Sequence, residues 1–534
     1  MKLRHLLFGV LAGVAFVACT NDNDPAGVTP VKGDNVAAAK YMAVNFAMPG
    51  GATTRADGDL VPTDIDESAI NDAAFLFFKD GAQVADPFVI AKGGHDAVTD
   101  KTDYASQTMN WTDTSKAVVV MENPTDIPTS LVVLINTGKG VNDLKGKTVA
   151  DLQGTAFMAD YSTTTNGIVM SNAVYNDASG NVVGAPVDPS NVCETPNDAR
   201  SNPVKVYVDR VLAKVTVKNS LAENAPVSDA EDEKITVTLT GWSLVYNNTQ
   251  SYLIKNLGTD YDFAWTWNDA AAFRSYWADA ATYTMGAFPK YNAITKAFGK
   301  DVYTQENTAF QNFAEPTTNE ETGAVTNPTE NPTAVIVAAT LKYDGQSTSL
   351  YKFRGVVYPE AEFKTYLADL VKYYKVDVAD DGTKTYTRLL AADFDDLQFD
   401  ANEGASYEAK VYLKLAATTG TFADANKEEK TAEQVNTALA EAGQVVEFWN
   451  GGATYYYVPI KQHVDTDATK DVFGIVRNHY YELTVKSVAG LGTAVPNPEQ
   501  EIVPVTPEEK DYWIAAIINI LDWKAVPQNV DLGK

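Results

Sequence analysis

The sequence predicts a mainly β protein of sandwich type with more than one core, a few short helices and a separate apolar C-terminal segment. Three observations carry that prediction. Short runs of β-branched, aliphatic and aromatic residues recur along the chain, each bounded by clusters of Gly, Pro, Asn and Asp. Tyrosine is plentiful, at 27 of 534 residues, which agrees with β propensity. The length suffices for two or three hydrophobic cores.

The chain opens on an export signal over residues 1–18. Lys2 and Arg4 form a basic start, residues 6–18 an apolar core, and Phe16-Val17-Ala18 leads into Cys19. Small residues ending in a cysteine have the form of a lipobox, with Cys19 as the acylated residue; a plainly cleaved signal is the alternative. The apolar stretch is too short to be a spanning helix, and no later run is long enough to cross a bilayer as one. The exported remainder is therefore expected to be soluble. Cys193 is the only other cysteine, so with Cys19 acylated no intrachain disulfide forms and stability rests on the cores.

Residues 20–36 are polar and patternless, as a tether is. Lys40-Tyr-Met-Ala-Val-Asn-Phe-Ala-Met48 then places Met42, Val44, Phe46 and Met48 on one face of a half-buried strand. The following stretch, Gly50 to Gly58, is small and flexible and carries Arg55, the one basic residue between Tyr41 and Leu60. Such a loop suits a protease, but sequence physics alone prefers a plain strand connection. Strands are expected at 74–78, 117–121 and 131–136, with long loops around 80–115 and 175–203. Residues 204–217 alternate as one long strand after Pro203, and the domain boundary is placed there, dividing 56–203 from 204–495.

The second domain is expected to hold strands at 235–246 and 334–343. Helices are expected at 362–374, after Pro359, and after the capping box Thr431-Ala-Glu-Gln434. A hairpin is expected from 445–449 and 453–460 around Asn450-Gly-Gly452. Residues 476–485 form the last strand before a proline-bearing leash, which opens the tail segment 496–534. In the tail, Ile518, Ile520, Leu521, Trp523 and Val526 put apolar side chains on both faces, so the segment needs burial on both sides. Thr506-Pro507-Glu508-Glu509 is a helix start, and pattern alone leaves helix and strand open over 511–521.

Catalytic and metal chemistry finds no constellation. His5 leaves with the signal, and His95, His463 and His479 lack ligand-like spacing. No P-loop, Gly-x-Ser-x-Gly or His-Glu-x-x-His occurs. The acidic runs 393–396 and 400–404 depart from calcium-loop spacing and read as solvated turns. Neither an enzyme nor a cofactor is expected. The net charge of −28 argues against nucleic acid and against direct contact with anionic membrane.

Several stretches resemble the fimbrilins of Bacteroidales, the type V pilus subunits, and among them the major subunits of the short fimbriae of Porphyromonas. They are Ala37-Ala-Ala-Lys-Tyr-Met-Ala-Val, Leu131-Val-Val-Leu-Ile-Asn136, Arg210-Val-Leu-Ala-Lys-Val-Thr-Val217, Val476-Arg-Asn-His-Tyr-Tyr and Ile518-Asn-Ile-Leu-Asp-Trp-Lys-Ala525. The resemblance implies two transthyretin-like Greek-key sandwiches. It also implies a stalk subunit exported through the periplasm to the outer membrane as a lipoprotein. An Arg-specific surface protease would then cut after Arg55, leaving Ala56 as the new N-terminus. Residues 19–55 become a lipidated propeptide whose strand is removable, and residues 518–526 a donor strand that fills the vacated groove of another copy. A groove missing one strand presents unpaired backbone groups, a template for strand addition. Head-to-tail contacts of this kind need not close and build filaments. The implied partners are further copies, anchor and tip subunits and the protease; the product is an extracellular fimbria serving adhesion and biofilm formation. The alternatives are an anchor or tip subunit, or a glycan-binding surface lipoprotein using Trp111, Trp265, Trp267 and Trp277 as stacking faces.

Overall fold

The structure, a computed structural model, describes residues 40–47, 69–92, 116–121, 124–154, 167–173, 175–176, 182–227, 234–255, 288–306, 317–318, 325–326, 333–401, 407–410, 412–413, 419–463, 472–502, 514–522 and 525–526. The protein is mainly β throughout, with a few short helices, as its composition indicates.

The first sheet has nine strands. Along its main path run Ala82–Gln83, Asp72–Lys79, Ser130–Ile135, Met170–Asn172, Val204–Arg210, Lys40–Ala47 and Lys116–Met121; Phe88–Ala91 and Ala185–Pro186 pair beside it. Within Asp72–Lys79 and Ser130–Ile135, residues 73–78 and 131–135 are unbroken apolar runs, as burial of both faces requires. Phe75, Phe77, Leu131 and Val133 face a core shared with Met42, Val44, Val119 and Met121. Strands from both ends of the path thus meet in one interior, and the sheet curls around it. On the opposite face Leu76, Phe78, Val132 and Leu134 pack under Leu144, Val149 and Leu152 of two short helices and against Val211, Leu212, Leu253 and Ile254.

Two five-stranded sheets form the second sandwich. One runs Asp301–Thr304, Ala213–Asn219, His479–Val488, Ile514–Asp522, Ala525–Val526; the other Ala225–Pro226, Ile235–Val245, Ala334–Tyr343, Ala453–Pro459, Thr493–Ala494. Val215, Val217, Tyr481, Leu483 and Val485 of the first meet Val237, Trp242, Val335, Val337, Tyr456 and Val458 of the second. The alternation of His479–Val488 matches this one-sided burial.

Three expectations change in the structure. The boundary before Val204 is displaced: Val204–Arg210 pairs in the first sheet and Ala213–Asn219 in the second, so the hand-over falls at Val211-Leu212. Both halves are alternating strands, which is why the sequence shows no break. The expected hairpin at 445–460 does not exist. Gln444–Trp449 pairs with Leu350–Phe353 and Tyr407–Lys410, whereas Ala453–Pro459 pairs with Ala334–Tyr343. Asn450–Gly452 is a short 3-10 turn that hands the chain from one sheet to another. Gly452 lies at φ +79°, and a Cβ there would collide with the carbonyl oxygen of Leu341. Finally, residues between Leu350 and Trp449 build a third unit with its own core, including Tyr351, Phe363, Leu367, Phe422, Leu439 and Phe448. Its helices are Glu360–Val371, which follows Pro359, and Ala432–Glu441. The second has the expected box: Gln434 N–H donates to Thr431 Oγ1 (3.2 Å), and Thr431 N–H donates to Gln434 Oε1 (2.9 Å).

A buried polar cluster joins the two sandwiches. Arg477 and Glu306, both fully buried, form an ion pair at 2.7 Å. Arg477 also donates to the carbonyls of Tyr252 (2.8 Å) and Leu253 (3.3 Å). Alongside, Lys255 pairs with Asp209 at 3.5 Å, and Asn478 Nδ2 donates to the other oxygen of Asp209 at 3.2 Å. Burial pulls the Lys255 ammonium below its usual range, against the opposing pull of Asp209 and Glu306. Arg477→Ala should lower stability by about 3–5 kcal/mol in urea denaturation, because it leaves the Glu306 carboxylate buried without its partner. Arg477→Met combined with Glu306→Leu should recover most of that loss.

Candidate assembly site

The first strand, Lys40–Ala47, lies inside its sheet. Val44, Asn45, Phe46 and Ala47 pair in parallel with Val204, Lys205, Val206 and Tyr207. On the other edge Lys40–Asn45 run antiparallel to Met121–Lys116, with Met42 opposite Val119. Tyr41 and Cys193 exchange both backbone hydrogen bonds at 2.9 Å. Lys40 forms an ion pair with Glu194.

Met42 and Val44 are fully buried in the first core, as their spacing requires. The opposite face, where Tyr41 and Asn45 are partly exposed, is covered at its middle. Ala43, on the opposite face, is only 3% exposed and packs with Ala199 beside Tyr41 and Cys193. Ala199 sits on the short helix Pro196–Ser201, which covers this outer face. The signal was present in the sequence: Thr195-Pro196 is an N-cap with proline at N1, and Asp198 N–H donates to Thr195 Oγ1 at 3.2 Å. What sequence does not show is that the helix lies over Ala43.

The tail is a strand over Ile514–Asp522, antiparallel to His479–Val488 of the same chain, with Ile518 opposite Leu483 and Ile520 opposite Tyr481. Ala525–Val526 folds back on Ile520 and Leu521. A register irregularity lies between Val485 and Ser487, on the partner strand and not at Leu521-Asp522. In this single chain the tail therefore extends the second sandwich. Cys19, Met48, Arg55, Ala56, Trp523 and the tryptophans at 111, 265, 267 and 277 lie outside the described residues, as does His95.

Other polar residues are engaged locally. His479 is buried, with Nδ1 2.8 Å from the carbonyl of Arg477. In the acidic run 393–396, Asp393 pairs with Lys375, and Asp396 accepts from Lys364 at 3.0 Å. Among the described residues no group of three or more His, Cys, Asp or Glu is placed to hold a metal ion, and no helix is long and apolar enough to cross a membrane.

Removing side-chain volume at Met42 should cost the untrimmed protein about 2–5 kcal/mol, read as a shift of the urea midpoint in Met42→Ala.

Residues 447–529 match the model of the fimbrillin C-terminal family, major fimbrial subunit protein type IV. That span runs from the end of Gln444–Trp449 through the tail strand. No curated protein matches the chain. Among solved structures, a fimbrilin of Porphyromonas gingivalis W83 is 12% identical over 92% of this chain and 97% of its own, with a TM-score of 0.38. The tip fimbrial protein Mfa3 of Porphyromonas gingivalis, with a C-terminal truncation, is 14% identical over 91% of this chain and 100% of its own, with a TM-score of 0.33. A fimbrial assembly protein of Parabacteroides distasonis ATCC 8503 is 11% identical over 73% of this chain and 97% of its own, with a TM-score of 0.26.

Proposed function

We propose that this chain is the polymerising stalk subunit of a cell-surface fimbria, assembled by strand exchange. The observation that carries the reading is the place of Lys40–Ala47. A segment from far upstream, followed by the Arg55 loop, fills the interior of the first sheet and completes its core. The similarity of residues 447–529 to fimbrillin C-terminal domains supports the coarser part, a fimbrial subunit.

In this reading the chain is exported as a lipoprotein through Cys19. An Arg-specific surface protease cuts between Arg55 and Ala56, and the strand bearing Met42, Val44, Phe46 and Met48 departs with the lipid. The vacated slot exposes one edge of Val204–Arg210, one edge of Lys116–Met121 and the apolar floor between them. The tail of a second copy, with Ile518, Ile520, Leu521, Trp523 and Val526, leaves its own sheet edge and enters. An exposed strand edge with apolar flanks is a template for such addition. The contact is heterologous, so each added copy presents a fresh slot and the assembly grows as a filament. Anchor and tip subunits terminate it, and the extracellular product supports adhesion and biofilm formation.

Arg55→Ala should fold normally and remain monomeric after treatment with an Arg-specific protease that converts the wild type, as followed by size-exclusion chromatography. Filaments that still carry residues 37–55 would refute the release step. Deleting residues 511–534 should abolish filament growth in electron micrographs while both sandwiches keep their cooperative unfolding. A peptide of residues 511–534 should bind the trimmed protein and not the untrimmed one. Equal binding to both would mean that the two strands do not share a slot.

A further inference from the structure

The two faces of the first strand make unequal demands. Met42 and Val44, fully buried, point into the sandwich interior between Val119 and Met121 on one side and Val204 and Val206 on the other. Ala43, between them, faces Ala199 on the covering helix, which is itself fully buried. An occupant of this slot therefore needs two aliphatic side chains two residues apart and a compact residue between them; overfilling the covered side forces the helix off. Between Ile514 and Val526 the chain reads Ile-Ala-Ala-Ile-Ile-Asn-Ile-Leu-Asp-Trp-Lys-Ala-Val. Only Ile518-Asn519-Ile520 has Ile, Leu or Val at both ends of a triplet. Every other register leaves an alanine, a polar residue or tryptophan in a site shaped by Met42 or Val44. Resting on the strand exchange proposed above, and with the tail running in the direction of the strand that it replaces, we infer that it enters in one register: Ile518 replaces Met42, Asn519 replaces Ala43 and Ile520 replaces Val44.

This register places Ile518 opposite Val119 of the receiving copy, and Ile520 opposite both Ala117 and Val204, by analogy with the strand it replaces. Asn519 is larger than the alanine it replaces and polar. It meets the helix-covered side, where Ala43 is 3% exposed and Ala199 fully buried, so the helix must yield slightly to admit its amide, beside the partly exposed Tyr41 and Cys193. Leucine at the same position would carry a branched apolar group into Ala199. Ile517 takes the position of Tyr41, the residue that exchanges two backbone hydrogen bonds with Cys193. Residues paired in this way have Cα atoms about 5.5 Å apart, within the span that a disulfide bridges. Cys193 is a free thiol.

Cys193 thus reports the register. Ala515→Cys, Ile517→Cys and Asn519→Cys, one at a time in the full chain, are trimmed with an Arg-specific protease, polymerised, oxidised and run on a non-reducing denaturing gel. Ile517→Cys should give a ladder of covalent oligomers at least several-fold stronger than the other two, and the ladder should vanish in a Cys193→Ser background. A ladder strongest for Ala515→Cys or Asn519→Cys overturns the register and leaves strand exchange standing. Filaments with no ladder from any variant place the tail away from Cys193 and overturn the assignment as well. A wild type that stays monomeric after trimming removes strand exchange itself, and the register with it. Independently, Asn519→Ala should polymerise at the wild-type rate, whereas Asn519→Leu should slow it at least tenfold. Equal rates for the two would show that the helix does not restrict the slot.

Discussion

The two-sided backbone ladder of Lys40–Ala47 is the constraint on which the first sandwich depends. A strand inside a sheet satisfies the hydrogen-bonding groups of both neighbours, and this one also supplies Met42 and Val44 to the core and Ala43 to the contact under helix Pro196–Ser201. Take it away and three things are left unmade at once: one edge of Val204–Arg210, one edge of Lys116–Met121, and the apolar interior between them. Buried backbone groups do not stay unpaired. The first sandwich is therefore complete only with this segment, or another of like shape, in place.

The tail stands in a different position. Ile514–Asp522 extends a sheet whose core residues, Tyr481, Leu483 and Val485, already alternate inward on the strand that it pairs with. Among the described residues its far edge pairs with the two-residue strand Ala525–Val526. Leaving that position costs the tail its whole ladder to His479–Val488, from Ile514 opposite Val488 to Asp522 opposite His479.

Between the first strand and the tail runs the polar joint. Val204–Arg210 borders the first strand and ends in Asp209 and Arg210; Arg477 and Asn478 immediately precede His479–Val488, which carries the tail. Asp209 accepts from Asn478, and the backbone N–H of Asn478 donates to the carbonyl of Leu212 at 2.9 Å. Asn478 adopts φ +60°, a left-handed conformation that asparagine tolerates better than most residues. Buried charges of this kind add little net stability when paired, but removing one partner strands the other. The cluster bridges the sandwiches at the point where the two assembly strands have their neighbours.

The sequence by itself determined the mainly β class, the positions of the longer strands and the capped helix after Thr431, because periodicity and capping act over a few residues. The strand at Met42 and Val44 was legible for the same reason, and the apolar tail was recognisable as a segment needing cover. Only the tertiary structure decided what those strands touch. Pattern cannot say that Val204–Arg210 and Ala213–Asn219 belong to different sheets, since both alternate with the same period. Nor can it say that Gln444–Trp449 and Ala453–Pro459 part company around Gly452, where the deciding contact is with Leu341, more than 100 residues away. Pattern alone left helix and strand open over 511–521, since both answers were locally acceptable; over Ile514–Asp522 the chain is a strand laddered to the edge of His479–Val488. Ala43 shows the limit most plainly. A small residue between two large ones reads as the solvent side of a half-buried strand, and only the packing of Ala199 from a distant helix makes it a second buried face.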